Sequence, residues 1–234
     1  MRDKPTLILV PGLLCDGALW AAQIDALHTI YNVRVADTTG ADSMAGLAEA
    51  ALSDAPDTFA VAGLSMGGYV VQEILREAPE RVSHMALLDT NARADLPEQS
   101  DNRKRMMTLA KEGGLGKVVN EMLPHLIHPE HLNDPNIAGV FGQMAERIGA
   151  EAFVRQQMAI MNRIDGRAHL KRITCPVLIL CGAQDAMTPP KVHQEMADAI
   201  GDNATMVVVP DCGHLSPIEQ PAAVTAALKT WLER

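Results

Sequence analysis

Aromatic residues are scarce in this chain: three Phe, two Tyr and two Trp make up 3% of 234 residues. Any core or pocket must therefore be built from aliphatic side chains and from 13 Met, which serve as flexible gap fillers. Cysteine is sparse too. Cys15, Cys175, Cys181 and Cys212 lie far apart with no CxxC spacing, which favours neither a disulfide framework nor a zinc site. Reduced, mostly buried thiols in a cytoplasmic protein are expected instead. Positive charge is in deficit, 20 Lys and Arg against 29 Asp and Glu for a net −9. Without a basic cluster there is no face for phosphate contacts, so nucleic acid is not an expected partner. No run approaches the ~18 consecutive apolar residues of a membrane span. The opening MRDKPTLILVPGLL has a charge and then an apolar run, but Pro11 and Gly12 interrupt it and no small-x-small cleavage site follows. It is not expected to be a signal peptide.

What is present is 47% apolar residue content in a chain long enough for one large α/β domain. Short continuous apolar runs recur at Thr6 to Val10, Val33 to Ala36, Phe59 to Gly63, Met85 to Asp89, Val177 to Cys181 and Met206 to Val209. Such runs suit strands covered on both faces. Amphipathic stretches lie between them at 19–28, 43–52 and 66–77, and Pro79 stops the last. Alternation of this kind predicts a doubly wound, mostly parallel sheet of about six strands, with ligands at the strands' carboxyl ends. From Asn91 to Ile173 no strand pattern occurs, only helical patches at 103–112, 116–126, 137–148 and 151–162. We expect residues 1–90 and 174–234 to form the core and 91–173 a helical lid.

The strongest chemical signal is Gly63-Leu64-Ser65-Met66-Gly67-Gly68, where a strand runs directly into a helix. On that sharp turn a serine hydroxyl is lifted above the sheet, and positions two residues either side have room only for Gly. Ser65 is the expected nucleophile. A serine needs a base, and the base a carboxylate to orient it. His214 follows the last predicted strand on a Gly-containing loop, and no other histidine lies just past a strand end. Downstream, Ser216, Pro217 and Glu219 suit a short helical turn, and Pro221 suits the start of the final helix. Asp185 stands on the loop after the Val177 to Cys181 strand, with Thr188 and Pro189 reading as the N-cap and first position of a helix. Asp89, ending the Met85 strand, is the rival acid. Chain order Ser, acid, His and loop position favour Asp185.

An oxyanion hole requires two backbone donors, one from the residue after the nucleophile and one from the first strand's loop. Those are Met66 and Leu13, with Leu14 next. Leu13, Leu14 and Met66 are also expected to wall the substrate pocket. Cys15 reads as pocket lining or core, with no basic neighbour to activate its thiol. His125, His128 and His131 have three-residue spacing, but Pro129 breaks the helix that would align them and no Cys or carboxylate completes a metal set. No metal is expected. Arg93 and Arg163 are the nearby candidates to meet a substrate carboxylate, with salt bridges as their alternative use.

Together, the Pro-Gly loop ending with Trp20, Gly63 to Gly68, Gly182 to Asp185 and Gly213-His214 resemble the α/β-hydrolase superfamily over nearly the whole chain. The similarity is to its small cofactor-free branch of enol-lactonases, carboxylesterases and haloperoxidase-like enzymes. Two features depart from that pattern. Pro11 stands where many relatives carry His before the Gly, and the family's first two antiparallel strands have no counterpart. The resemblance implies an α/β-hydrolase fold and a serine hydrolase of small to medium carboxylic esters or lactones, acting through an acyl-enzyme without a cofactor. C–C bond hydrolysis, thioester hydrolysis or perhydrolysis on the same residues is the alternative, and a non-catalytic binding role a further one. The expected state is monomer or homodimer, with a small ester or lactone as partner.

Overall fold

A computed structural model describes residues 4–234. The first three residues, where the charged opening and the expected core segment begin, lie outside it. The strands are β1 (Thr6–Val10), β2 (Asn32–Val35), β3 (Phe59–Leu64), β4 (Val82–Leu88), β5 (Val177–Gly182) and β6 (Ala204–Val209). The helices are α1 (Ala21–Leu27), α2 (Met44–Leu52), α3 (Met66–Glu77), α4 (Pro97–Leu109), α5 (Leu115–Leu126), α6 (Ala138–Met161), α7 (Arg167–Leu170), α8 (Pro190–Ile200), α9 (Ser216–Glu219) and α10 (Pro221–Leu232).

The six strands among the described residues pair in the order β2-β1-β3-β4-β5-β6, every pair parallel. Every residue of β1, β3 and β5 is buried, as their unbroken apolar runs require. The pleat divides β1 between two cores. Leu7 and Leu9 join Trp20, Leu27, Leu228 and Trp231 on one face, and Ile8 and Val10 join Met44, Val70, Ile74 and Met196 on the other. Strand order reverses between β1 and β3, so the crevice between their carboxyl ends is the switch point at which such sheets bind ligands. Register keeps those ends level: Val10 pairs with Gly63, Leu64 with Leu88, and Gly182 with Val209.

Between β4 and β5 the chain is helical, as expected. The patches at 137–148 and 151–162 form the single run α6, broken at Gly149, whose φ of 75° is the left-handed conformation that glycine tolerates. Val118, Met122, Phe141, Met144 and Phe153 of this segment are buried in the same cluster as Leu14 and Leu19. The segment therefore shares a core with the loop after β1.

Candidate active site

Ser65 follows β3 directly and adopts φ 54°, ψ −114°, a costly backbone for a non-glycine residue. Its neighbours explain how it is held there. A Cβ on Gly63 would stand 2.3 Å from the Gly67 carbonyl oxygen, and one on Gly67 would stand 2.1 Å from that of Val10. Only hydrogen at both sites lets the chain turn so sharply. The Ser65 N–H donates to the Leu88 carbonyl, and its own carbonyl accepts from the Thr90 hydroxyl at 2.8 Å. His193 in turn holds Thr90: its Nε2 accepts the Thr90 N–H, and burial lowers its pKa to about 4, leaving it neutral.

The structure brings the three expected side chains into one line. His214 Nε2 lies 2.8 Å from Ser65 Oγ, and His214 Nδ1 lies 2.8 Å from Asp185 Oδ2. Asp185 also accepts the N–H groups of Met187 and Thr188 and the Thr188 hydroxyl. Burial opposes its ionisation, yet His214 and these donors outweigh burial and hold its pKa below the usual carboxylate value. Burial likewise opposes charging of His214, and Asp185's charge and hydrogen bond reverse that, raising its pKa. Thr188 is not the expected N-cap. Helix α8 begins one residue later than foreseen, with Pro190 at its first position, because Pro190 pushes the residue before it, Pro189, out of the helical region to ψ 157°.

The loop that carries His214 is tied down by Glu219, which accepts from the N–H groups of Gly213, Leu215 and His128. His131 also reaches Glu219, at 3.0 Å. His128 and His131 thus help to fasten the loop of His214 through Glu219. Asp89, the rival acid, is fully buried and accepts Gly182 N–H on one oxygen and Ser216 N–H on the other, where the Ser216 hydroxyl is also hydrogen-bonded. It joins the loop of Asp185 to the loop of His214. Burial and Asp185's charge push its pKa well above the usual carboxylate value.

The cavity at Ser65 and His214, about 60 Å³, is lined by Leu13, Cys15, Met122, Arg103, Arg163 and Thr188 among others. The N–H groups of Leu13 and Met66 donate to no acceptor among the described residues, which leaves both free for an oxyanion. Leu14 and Met66 do not wall the cavity as expected. Leu14 has φ 58°, which turns its side chain into the core, and its N–H is taken by Gln156 Oε1 at 3.0 Å. The Met66 side chain is buried beside Val10 and Val70 on the opposite face of the sheet. Burial pushes the Cys15 thiol far up, so it stays protonated beside the cavity. Arg93 pairs with Glu195 at 2.7 Å and lines a separate cavity of about 360 Å³, which is floored by Met44, Met85, Leu170 and Ile173. Tyr69 and Arg163 border both cavities, the guanidinium 4.3 Å from the ring centroid.

A parallel sheet bearing a strained serine between strand and helix, with a histidine and a carboxylate from later loops, defines a hydrolase-type scaffold. The chain belongs to the alpha/beta hydrolase family, whose model matches residues 7–228. It is similar to the structure of a thermophilic esterase from Thermogutta terrifontis, malate bound, at 32% identity and TM-score 0.90 over 99% of this chain and 92% of that one. It is 26% identical to a 3-oxoadipate enol-lactonase of Acinetobacter baylyi over 99% of the chain and 90% of the relative. A Mycobacterium tuberculosis protein that carries the name non-heme bromoperoxidase BpoC is 31% identical, and there the match spans 72% of this chain and 65% of the relative, just under two thirds of its length.

Proposed function

We propose that the protein hydrolyses carboxylic ester or lactone bonds of small to medium substrates through Ser65, His214 and Asp185. The observation that carries this reading is the unbroken hydrogen-bonded line from Asp185 to the Ser65 hydroxyl, ending on a serine with φ 54°. As Ser65 Oγ attacks the carbonyl carbon, its proton passes to His214 Nε2. The negative oxygen that forms is received by the Leu13 and Met66 N–H groups. Collapse expels the alcohol, which takes the proton from His214. Water then attacks the acyl-enzyme by the same route and releases the acid.

Neighbours named as an esterase and an enol-lactonase agree with this chemistry. Thioester, C–C bond and perhydrolysis reactions use the same residues, and thioesters, a vinylogous 1,5-diketone and peroxide as acyl acceptor are assayed with the panel below. The experiment is a panel of p-nitrophenyl esters, lactones and thioesters, with wild type beside Ser65→Ala and with fluorophosphonate labelling. Turnover of esters or lactones that falls by several orders of magnitude in Ser65→Ala is expected. Ser65→Ala retaining more than about a tenth of the activity would remove the nucleophile assignment, because loss of a triad member costs far more. Absence of both turnover and labelling would favour a binding role.

A further inference from the structure

Two guanidinium groups line the cavity in front of Ser65, and no Asp or Glu lines it. They belong to Arg103 on α4 and Arg163 just after α6, and both lean on one carboxylate, Asp95, whose side chain is 1% exposed. Two positive charges against one negative leave this end of the cavity with an excess positive charge. The hydrogen-bond ledger points the same way. Arg103 spends Nε on Asp95 Oδ2, one Nη1 hydrogen on Gln157 and one Nη2 hydrogen on Asp95 Oδ1. Arg163 spends Nε on the Arg93 carbonyl and both Nη1 hydrogens on Asp95 and the Ile160 carbonyl. Its Nη2 donates to nothing among the described residues, although the side chain is only 6% exposed. Of ten N–H groups on an arginine pair, taking five each, four therefore remain unspent.

Neither arginine is sealed off: the Arg103 side chain is 17% exposed and the Arg163 Nη2 is not among the fully buried atoms without a partner, so the unspent donors face water and are open to an anion that enters the cavity. The remaining cavity wall near these groups is neutral, with Tyr69, Asn91 and Gln99. Tyr69 fixes the plane of Arg163 by lying beneath it, and Asp95 fixes the position of both arginines. Such a rigid pair matches the planar, two-oxygen face of a carboxylate better than a flexible ammonium would.

We propose that Arg103 and Arg163 form a subsite for a carboxylate carried by the substrate away from the bond that Ser65 attacks. This rests on the hydrolase reading above and deepens it: the substrate is a half-ester or lactone of an acidic compound rather than a neutral aliphatic ester. The aliphatic wall of Leu13, Met122, Leu126 and Ile160 then contacts the chain between the two ends.

The test compares substrates matched in size that differ in charge. On the acyl side, mono-p-nitrophenyl glutarate is paired with p-nitrophenyl valerate; on the alcohol side, 4-acetoxybenzoate is paired with the isosteric 4-acetoxybenzamide. The quantity read is the kcat/KM ratio of the anionic to the neutral member. A ratio above roughly ten in at least one pair is expected from charge-assisted hydrogen bonds, as is its fall towards one in Arg103→Met. Arg103 is the safer position, since Asp95 keeps Arg163 as partner when Arg103 is lost, and Arg163→Lys provides a second variant with the charge kept and the fork removed. Ratios near one in both wild-type pairs, or a ratio that Arg103→Met and Arg163→Lys leave unchanged, would overturn the subsite. If no ester of any kind is turned over, the hydrolase reading fails by itself, and the subsite is judged by calorimetric binding of glutarate to Ser65→Ala. Binding that the added Arg103→Met abolishes supports it, and absent or undiminished binding overturns it.

Discussion

Neighbouring strands β4 and β5 each deliver a buried aspartate to the same end of the sheet, and the two are set to opposite uses. Asp185 faces an imidazole and three backbone or hydroxyl donors, which together hold it ionised against the cost of burial. Asp89 accepts the donors of Gly182 and Ser216 but makes no hydrogen bond to an imidazole, and burial together with the charge of Asp185 outweighs the pull of His214, so ionisation is resisted. Position in the sheet did not make this difference. The partner did: a charge needs a countercharge within reach, and the His214 imidazole points its Nδ1 at Asp185. One carboxyl is thereby fitted to orient the His214 imidazole, and the other to fasten the loops that carry Asp185 and His214.

The sharpest test of this division is Asp185→Asn. It should lower kcat by about 10⁴, since the amide no longer stabilises the imidazolium and favours the wrong tautomer. The sign of the pH effect follows from the raised pKa of His214. Only the neutral imidazole accepts the serine proton, so kcat/KM rises with pH through that pKa. Without the Asp185 charge the pKa falls and the acid limb of the profile moves to lower pH, even as the rate collapses. Asp89→Asn should do far less of both: Asp89 stands behind Asp185 among the groups that raise the His214 pKa, so the acid limb moves less than in Asp185→Asn and kcat falls by less than about tenfold. An acid limb that moves in Asp89→Asn and stays in Asp185→Asn would exchange the two roles.

Stability distinguishes them again, on a smaller scale. Asp89→Ala strands the buried donors of Gly182 and Ser216, which costs about 1–3 kcal/mol for each unsatisfied group, and a lowered Tm in thermal unfolding reports it. The mildest change is Thr188→Val. It removes one donor from Asp185 and should cost about 1 kcal/mol of stability with a drop of a few-fold in kcat, measured on the same substrate.

The residues that could be read from the sequence were those announced by a local pattern. Ser65 stands between two glycines at a strand end, and His214 and Asp185 each follow an apolar strand and a Gly-containing turn. Strand alternation likewise gave away the sheet, because burial on both faces leaves an unbroken apolar run. Residues whose meaning depends on distant partners left no such mark. Gln156 reaches Leu14, 142 positions away, and Arg103 reaches Gln157, 54 positions away, from a patch that the sequence marks only as helical. Leu14 and Met66 misled for the opposite reason. Being next to the oxyanion loop suggested pocket walls, but the left-handed backbone at Leu14 and the start of α3 at Met66 direct both side chains into the cores.

Gln156 has one further consequence. Its Oε1 takes the Leu14 N–H, and its amide nitrogen donates to the Thr38 carbonyl and hydroxyl. One fully buried side chain of α6 is thus bolted to the loops that follow both β1 and β2. Raising α6 would break all three bonds at once in a place that water does not reach. At this point α6 is accordingly pinned to the sheet rather than hinged upon it.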